Sequence, residues 1–173
     1  CTDKRVNQVT PPLFERFPEA KDFALASLEE IEEYIRSTGF YKNKARAIKE
    51  ACQRIVDQFG GKVPNKMEDL LSLRGVARKT ANVVMGTAFG KAEGVVVDTH
   101  VKRISRLLGL TEETSPEKIE KDLMALLPKK EWIPFSHMLI FHGREICKAR
   151  NPQCEICELK KYCPSAKLNS SGS

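Results

Sequence analysis

The sequence predicts an all-α fold, and two observations support this class. Apolar residues recur at the three- and four-residue spacing of amphipathic helices along nearly the whole chain, and no long alternation of apolar and polar residues interrupts them. Glycines, prolines and capping residues separate these periodic segments. At 173 residues the chain is long enough for one domain, or two small ones, with a hydrophobic core.

The composition favours a basic protein without a membrane span. There are 29 Lys and Arg residues against 23 Asp and Glu residues, a formal net charge of +6. Such an excess suits nucleic acid, although many other proteins are equally basic. No stretch approaches the roughly 20 apolar residues of a membrane span, and no signal peptide is recognisable. We therefore expect a cytoplasmic protein, in which disulfides are not the default use of cysteine.

Caps and breakers predict the first helices. Residues 1–10 have the pattern of a helix interior, which the Pro-Pro pair that follows cannot continue. Ser27 and Glu30 form a capping box at the start of the next helix. A longer helix then runs to Gly60-Gly61, where it ends.

The second half of the chain is predicted to be helical as well. A mostly apolar helix ends at Gly90, and the apolar run 95–97 is interpreted as a buried connector because turn residues bound it closely. Ser115, followed by proline and glutamate, begins another helix. A further helix is expected over roughly 134–144.

One stretch, 71–81, has the pattern of a helix end, a tight turn and a new helix start. Gly75 permits the positive φ that a short hairpin needs, and Val76 is a candidate plug against the core. Arg78 and Lys79 lie in the first turn of the new helix, where N–H groups attract phosphate. The helix dipole repels a lysine there, and a nucleophile needs the neutral amine. The alternative is an ordinary helix turn with a solvated basic start.

Four of the six cysteines cluster near the end of the chain: Cys147, Cys154, Cys157 and Cys163. Their C-x6-C-x2-C-x5-C spacing allows four thiolates to surround one soft metal centre, either zinc or an iron–sulfur cluster. Zinc sites more often contain two C-x2-C pairs, so the spacing favours iron–sulfur. Structural disulfides are the remaining alternative.

A short basic loop with Lys148 and Arg150 lies between the first two of these cysteines. A metal centre would hold this loop in place, and its cations could then reach a phosphate. The simpler interpretation is solvated surface charge.

Together these motifs resemble the endonuclease III family of DNA repair glycosylases, in the helix-hairpin-helix superfamily. The similarity covers nearly the whole chain, and its most specific parts are the hairpin 73–84, the segment 97–101, the triplet 142–144 and the spacing of the four cysteines. The family's first helices are absent from the sequence. We interpret this absence as an upstream segment that is missing or placed elsewhere.

The resemblance implies two helical lobes with a DNA-binding cleft between them. One is a six-helix barrel over 1–112 that carries the hairpin at about 73–79. The other, over 113–166, holds a 4Fe–4S cluster bound by the four cysteines. Residues 167–173 are expected to form a flexible tail or linker.

The resemblance also implies a bifunctional DNA glycosylase/AP lyase of base excision repair, in which Lys79 is the catalytic lysine and Asp98 the catalytic aspartate. Its partner would be double-stranded DNA with an oxidised pyrimidine or an abasic site, cleaved 3′ to that site by β-elimination through a lysine Schiff base. Asp98 is alternatively a plain helix N-cap. The protein would be a monomer that contacts no membrane, in a prokaryotic cytoplasm and associated with the nucleoid.

DNA contacts are implied in the hairpin and in an earlier loop. The residues concerned are Gly75, Val76, Ala77, Arg78, Phe40 and Lys44. Phe40 is alternatively a buried loop anchor. Two residues depart from the family hairpin: Arg74 replaces a proline and adds a possible phosphate contact, and Ala77 replaces a glycine and must tolerate the local backbone.

Three other functions remain open at this stage. A thymine-mismatch glycosylase is the alternative within the superfamily. A non-catalytic DNA-binding module would not need Lys79 together with Asp98. An electron carrier is disfavoured because the sequence has no second cluster motif and no flavin site.

Overall fold

The structure, a computed structural model, describes residues 1–169, and these form α-helices, short 3₁₀-helices and turns without a strand. The prediction of an all-α fold is confirmed. The chain divides into two compact units, Cys1–Ala81 and Asn82–Ser173, the second described up to residue 169. The lobes at 1–112 and 113–166 stay a prediction. Of the predicted tail, residues 170–173 lie outside the described residues.

The first unit is built from five helices and the start of a sixth. These are α1 (Asp3–Arg16), α2 (Ala20–Leu25), α3 (Leu28–Ile35), α4 (Tyr41–Phe59), α5 (Met67–Leu71) and α6 (Arg78–Phe89), which continues into the second unit. Their core includes Phe17, 1% exposed, whose ring lies 4.9 Å from that of Phe23. The Nζ of Lys49 on α4 donates to the carbonyls of Ala24 and Ala26 at the end of α2, so α4 holds α2 through charge as well as packing.

Helix α1 corrects one expectation, because it runs through Pro11 and Pro12. A proline cannot donate to the carbonyl four residues earlier, which leaves the carbonyls of Asn7 and Gln8 without an intrahelical donor. Both residues are exposed, so water can satisfy these groups, and Leu13 in the next turn is buried. The prediction that the Pro-Pro pair ends the helix is therefore wrong.

Capping boxes mark the starts of α2 and α3. The predicted capping box of Ser27 and Glu30 is present, and backbone and side-chain hydrogen bonds from Ser27 hold the pKa of the Glu30 carboxyl below its ordinary value. Helix α2 was not expected from the sequence. It begins with a second capping box, in which Asp22 accepts from the backbone N–H of Glu19.

The second unit contains the rest of α6 and four later helices: α7 (Thr99–Leu107), α8 (Pro116–Leu126), α9 (Trp132–Glu145) and α10 (Pro164–Asn169). Its core comprises Val95, Val97, Val101, Ile104, Ile119, Leu123 and Leu139. The prediction that 95–97 is a buried connector is confirmed, because this segment is not a strand and two of its three valines are buried.

Helices α7 and α9 pack closely because of one glycine. A Cβ on Gly143 of α9 would lie 2.6 Å from Nδ1 of His100 and 2.9 Å from Cδ1 of Ile104, so only glycine permits this approach. The connector is held to the same helix, since the backbone N–H of Val96 donates to Oγ of Ser136 at 3.1 Å. No helix in the described part of the chain is long and apolar enough to cross a membrane.

Candidate functional site

The glycine hairpin forms as predicted, between the end of α5 and the start of α6. Gly75 has φ +80°, the left-handed region that a side chain disfavours, and the backbone N–H of Val76 donates to the carbonyl of Leu73 at 3.1 Å. Leu73 is buried and Val76 half-buried. The turn is therefore anchored on both sides of the glycine.

One face of α4 braces this hairpin. A Cβ on Gly75 would lie 3.1 Å from Cβ of Ala47. Nη1 of Arg54 donates to the carbonyl of Ser72 at 3.1 Å, and Nη1 of Arg74 lies 2.6 Å from a carboxylate oxygen of Glu50. Ala47, Glu50 and Arg54 are three and four residues apart, so they share one face of the helix. The sequence contains this spacing, but it does not show that these three residues contact the hairpin.

The two departures from the family hairpin have local explanations. Ala77 does not require a glycine, because positive φ among non-glycine residues occurs only at Phe40 and Asn151 in the described chain. Arg74 is exposed and paired with Glu50. Its side chain thus links the turn to α4, whereas a proline would stiffen the turn only through its ring. Its contact with DNA stays a prediction.

Lys79 lies in the first turn of α6 and is exposed. The carbonyl of Ala77 accepts from the N–H of Ala81 at 3.0 Å, which fixes the start of the helix directly after the hairpin. The N–H groups of a first helical turn have no intrahelical acceptor and favour anions. Lys79 thus lies at a helix end that favours anions.

Asp98 is the N-cap of α7, as predicted. Its Oδ1 accepts from the N–H of Val101 at 2.8 Å, and the side chain is half-buried. The cap uses one carboxylate oxygen and leaves the second for other chemistry. Lys79 belongs to the first compact unit and Asp98 to the second.

Phe40 is not the buried loop anchor that the sequence left open. Its side chain is 86% exposed, and it is the N-cap of α4 in the left-handed region, with φ +56°. Such a conformation costs energy for a residue with a side chain. The carbonyl of Phe40 accepts from the N–H of Lys44, which is also exposed. An aromatic side chain and a cation are therefore presented to solvent at one helix start.

The structure brings the four predicted cysteine ligands together in the second unit. All four are free thiols and line one cavity, with apolar walls that include Ile104, Leu107 and Ile146. No group of three or more His, Cys, Asp or Glu residues among the described ones is close enough to hold a single metal ion. Four free thiols that line one cavity fit the four cysteine ligands of an iron–sulfur cluster.

Two nitrogen-bearing side chains of the second unit contact the cysteine sulfurs. Nη1 of Arg103 donates to Sγ of Cys147 at 3.6 Å, and Nε2 of His142 lies 3.7 Å from Sγ of Cys157. Burial raises the pKa of the Cys147 thiol, and the Arg103 guanidinium acts in the opposite direction. Sequence analysis missed Arg103, although it is five residues after Asp98 on α7.

The basic loop between the first two cysteines is closed at its base. The N–H groups of Lys148 and Gln153 both donate to the carbonyl of Ile146, at 3.0 and 2.9 Å. The side chains of Lys148 and Arg150 on this loop are both exposed. Their contact with phosphate stays a prediction.

A buried polar pair was also missed. Glu120 on α8 is 5% exposed, and its Oε1 accepts from Nδ2 of Asn82 on α6 at 2.9 Å. The signal in the sequence was a carboxylate beside Ile119, on the apolar side of a helix. Charged residues at such positions are usually solvated, so the pattern alone did not single it out.

Two family models match the chain. The family described as "HhH-GPD superfamily base excision DNA repair protein" matches residues 1–129, and the "iron-sulfur binding domain of endonuclease III" matches residues 147–163. The first therefore covers the hairpin, Lys79 and Asp98, and the second the four cysteines.

Curated relatives cover nearly the whole chain. Endonuclease III of Synechocystis sp. is 57% identical over 169 residues, which are 98% of this chain and 77% of that protein. Endonuclease III of Bacillus subtilis is 43% identical over 164 residues, 94% of this chain and 74% of that protein.

Solved structures agree with this similarity. A non-covalent endonuclease III–DNA complex superposes with a TM-score of 0.93 at 45% identity, covering 99% of this chain and 80% of that one. A trapped endonuclease III–DNA covalent intermediate gives the same TM-score and identity over 98% and 80%. A thermostable thymine-DNA glycosylase gives 0.88 at 25% identity over 96% and 78%.

The hairpin geometry predicts the effect of a single methyl group. In Gly75→Ala, the alanine must adopt a positive φ, and its Cβ presses against Cβ of Ala47. The free energy of unfolding should therefore fall by about 1–2 kcal/mol. Affinity for duplex DNA should fall with it. Urea unfolding followed by circular dichroism, and fluorescence anisotropy with labelled DNA, measure the two effects.

The matched control for this substitution is Gly39→Ala. Gly39 does not have positive φ, and nothing lies within 4 Å of a Cβ built there. Its free energy of unfolding should change by less than about 0.5 kcal/mol. Equal effects of the two substitutions would contradict the proposed constraint at Gly75.

Proposed function

The chain belongs to the endonuclease III family of base excision DNA repair proteins, and from this premise we propose that Lys79 and Asp98 carry out its chemistry. The protein is a DNA glycosylase/AP lyase with a 4Fe–4S cluster. The observation that carries the residue assignment is the position of Lys79, exposed in the first turn of α6 directly after the braced hairpin.

The hairpin would hold the DNA backbone. Its N–H groups, with Gly75 allowing close approach, suit a phosphate without reading the base sequence. A grip on the backbone leaves the base free to leave the stack, which it must do before its sugar can be attacked. We assign Gly75, Val76, Ala77 and Arg78 to this contact.

Lys79 would supply the nucleophile. Its neutral amine attacks C1′ as the bond between C1′ and the base breaks, and the base leaves with the electron pair and takes up a proton. Opening of the sugar ring and loss of the amine proton then give a Schiff base between Nζ and C1′. The Schiff base acidifies the C2′ hydrogen. Loss of that proton expels the 3′ phosphate by β-elimination, and water releases Lys79.

Asp98 would stabilise or accept charge in these steps. The carboxylate of Asp98, oriented by its hydrogen bond to the N–H of Val101, can stabilise positive charge on the sugar as the base leaves, or accept the proton of the attacking amine. The N-cap and the chemical role are compatible, because the cap occupies only one oxygen.

The cysteines that bind the cluster would position nearby segments of the chain and would take no part in breaking the bonds of the DNA. The four cysteines hold the cluster, which fixes the end of α9 and the loop from Cys147 to Cys154 in one conformation. Lys148 and Arg150 on this loop, like Phe40 and Lys44 at the start of α4, are assigned to DNA contacts because they are exposed.

Oxidised pyrimidines are the substrates we propose, with the protein acting as a monomer. Both assignments are what the resemblance to the endonuclease III family implies, to which the relatives from Synechocystis sp. and Bacillus subtilis belong. These relatives are bacterial, which supports the prediction of a cytoplasmic protein associated with the nucleoid. A thymine-mismatch glycosylase is the second candidate, because a thymine-DNA glycosylase superposes with a TM-score of 0.88.

Borohydride trapping tests the role of Lys79. The wild-type protein, incubated with abasic-site DNA and borohydride, should form a covalent protein–DNA adduct, because reduction of the Schiff base makes it permanent. Lys79→Gln should form none, since an amide is not a nucleophile. Denaturing gel electrophoresis measures the adduct.

The control is Lys62→Gln, which removes an exposed lysine of the same unit. It should trap as much DNA as the wild type. An undiminished adduct with Lys79→Gln would refute the assignment of the nucleophile.

Asp98→Asn separates the cap from the chemistry. Asparagine caps a helix about as well as aspartate, so the free energy of unfolding should change by only about 0.5 kcal/mol. Loss of the carboxylate should lower the single-turnover rate of base excision by about 100- to 10,000-fold. A variant with a normal excision rate would show that Asp98 is a cap alone.

A panel of duplexes separates the two candidate substrates. The ring of thymine glycol is no longer aromatic, so this base stacks poorly and is extruded easily. We therefore expect its excision to be at least about tenfold faster than that of thymine opposite guanine. An undamaged A·T duplex is the control. Faster excision from the mismatch would favour the thymine-mismatch glycosylase.

A further inference from the structure

A buried hydrogen-bonded pair joins three segments of the second unit. The pair is Asn82 of α6 and Glu120 of α8, each 5% exposed. Nδ2 of Asn82 donates to Oε1 of Glu120 at 2.9 Å. The third segment is the connector, because a Cβ on Gly94 would collide with Oε1 of Glu120 and lie 2.9 Å from Nδ2 of Asn82. The amide and the carboxylate therefore pack directly against the backbone at Gly94.

Two of these segments lead to the residues assigned to the chemistry. Asn82 follows Lys79 by three residues on α6, and residues three apart lie on the same side of a helix. Gly94 precedes Asp98 by four residues, at the start of the buried connector that ends in this N-cap. The pair thus contacts the helix of the proposed nucleophile and the segment that leads into the proposed acid–base residue.

The chemistry of the pair favours positioning over stability. A buried carboxylate loses its hydration, and apolar side chains of similar size often fill such a site at no loss of stability. A hydrogen bond, in contrast, fixes direction and distance. Oδ1 of Asn82 is buried without a partner among the described residues, so the hydrogen bond from Nδ2 to Glu120 orients its amide.

We propose that Asn82 and Glu120 are positioning residues for the lyase reaction, which set the placement of α6 and of the Gly94–Asp98 connector. This inference rests on the proposed function of Lys79 and Asp98. Neither residue touches the DNA in this proposal. Each acts through the backbone of the segment that it holds.

The test is a borohydride-trapping rate measured at saturating abasic-site DNA, together with the dissociation constant for the same DNA. Asn82→Ala and Glu120→Ala should each lower the rate by about 10- to 100-fold, because small misplacements of reacting groups are costly, while the dissociation constant changes less than about threefold. The double substitution should be no worse than the single ones, since both remove the same bond.

Two further variants separate positioning from a general effect of the mutation. Glu120→Gln keeps an acceptor oxygen for Asn82 in the same shape, and it should restore most of the rate. Glu117→Ala removes an exposed carboxylate from the same helix, and its rate should equal that of the wild type. Thermal unfolding of every variant gives the folded fraction to which the rates are normalised.

Unchanged rates per folded molecule in Asn82→Ala and Glu120→Ala, with lower melting temperatures, would overturn the proposal and leave a purely structural pair. If the alanine variants do not fold, Asn82→Ser, which shortens the side chain but keeps it polar, decides in the same way. If the wild-type protein forms no adduct that depends on Lys79, the proposed function is overturned as well. If that adduct forms normally and the Asn82 and Glu120 variants trap DNA at the wild-type rate, only this inference is overturned.

Discussion

The contact between Gly75 and α4 is the constraint on which the first unit's part of the site depends. The turn needs a residue at φ +80°, and the same residue lies so close to Ala47 that a Cβ there would be 3.1 Å from that methyl group. Both requirements select glycine. Because α6 begins three residues later, this one contact fixes the position of its first turn and hence of Lys79.

The ion pair of Arg74 and Glu50 changes how this hairpin is stabilised. Both side chains are about half exposed, so the pair contributes little to the free energy of unfolding, on the order of 0–1 kcal/mol. Its effect is on geometry, since it connects the turn to the same face of α4 that Ala47 occupies. Because both side chains are partly exposed to solvent, the contribution of this ion pair should weaken as the salt concentration rises.

Much of the fold and the local geometry around the proposed catalytic residues could be predicted because the relevant signals are local. The capping box at Ser27, the left-handed Gly75 and the N-cap at Asp98 each depend on a few neighbouring residues, and the sequence contains all of them. The cysteine spacing is equally local. The family resemblance then supplied the roles, which the local signals alone left open.

What could not be predicted depends on tertiary contacts. The Pro-Pro pair stays inside α1 because Leu13 in the next turn is buried and the affected carbonyls are exposed. The bracing by Glu50 and Arg54 and the pair of Asn82 and Glu120 join residues between 18 and 38 positions apart. No periodicity in the sequence reports such distances.

The proposed lyase reaction requires that the ε-amine of Lys79 forms the bond to the sugar. The most direct test is to digest the borohydride-trapped adduct with protease and locate the modified residue by tandem mass spectrometry. The deoxyribose fragment should be attached to Nζ of Lys79. Attachment to another lysine, or to the amino terminus, would contradict it.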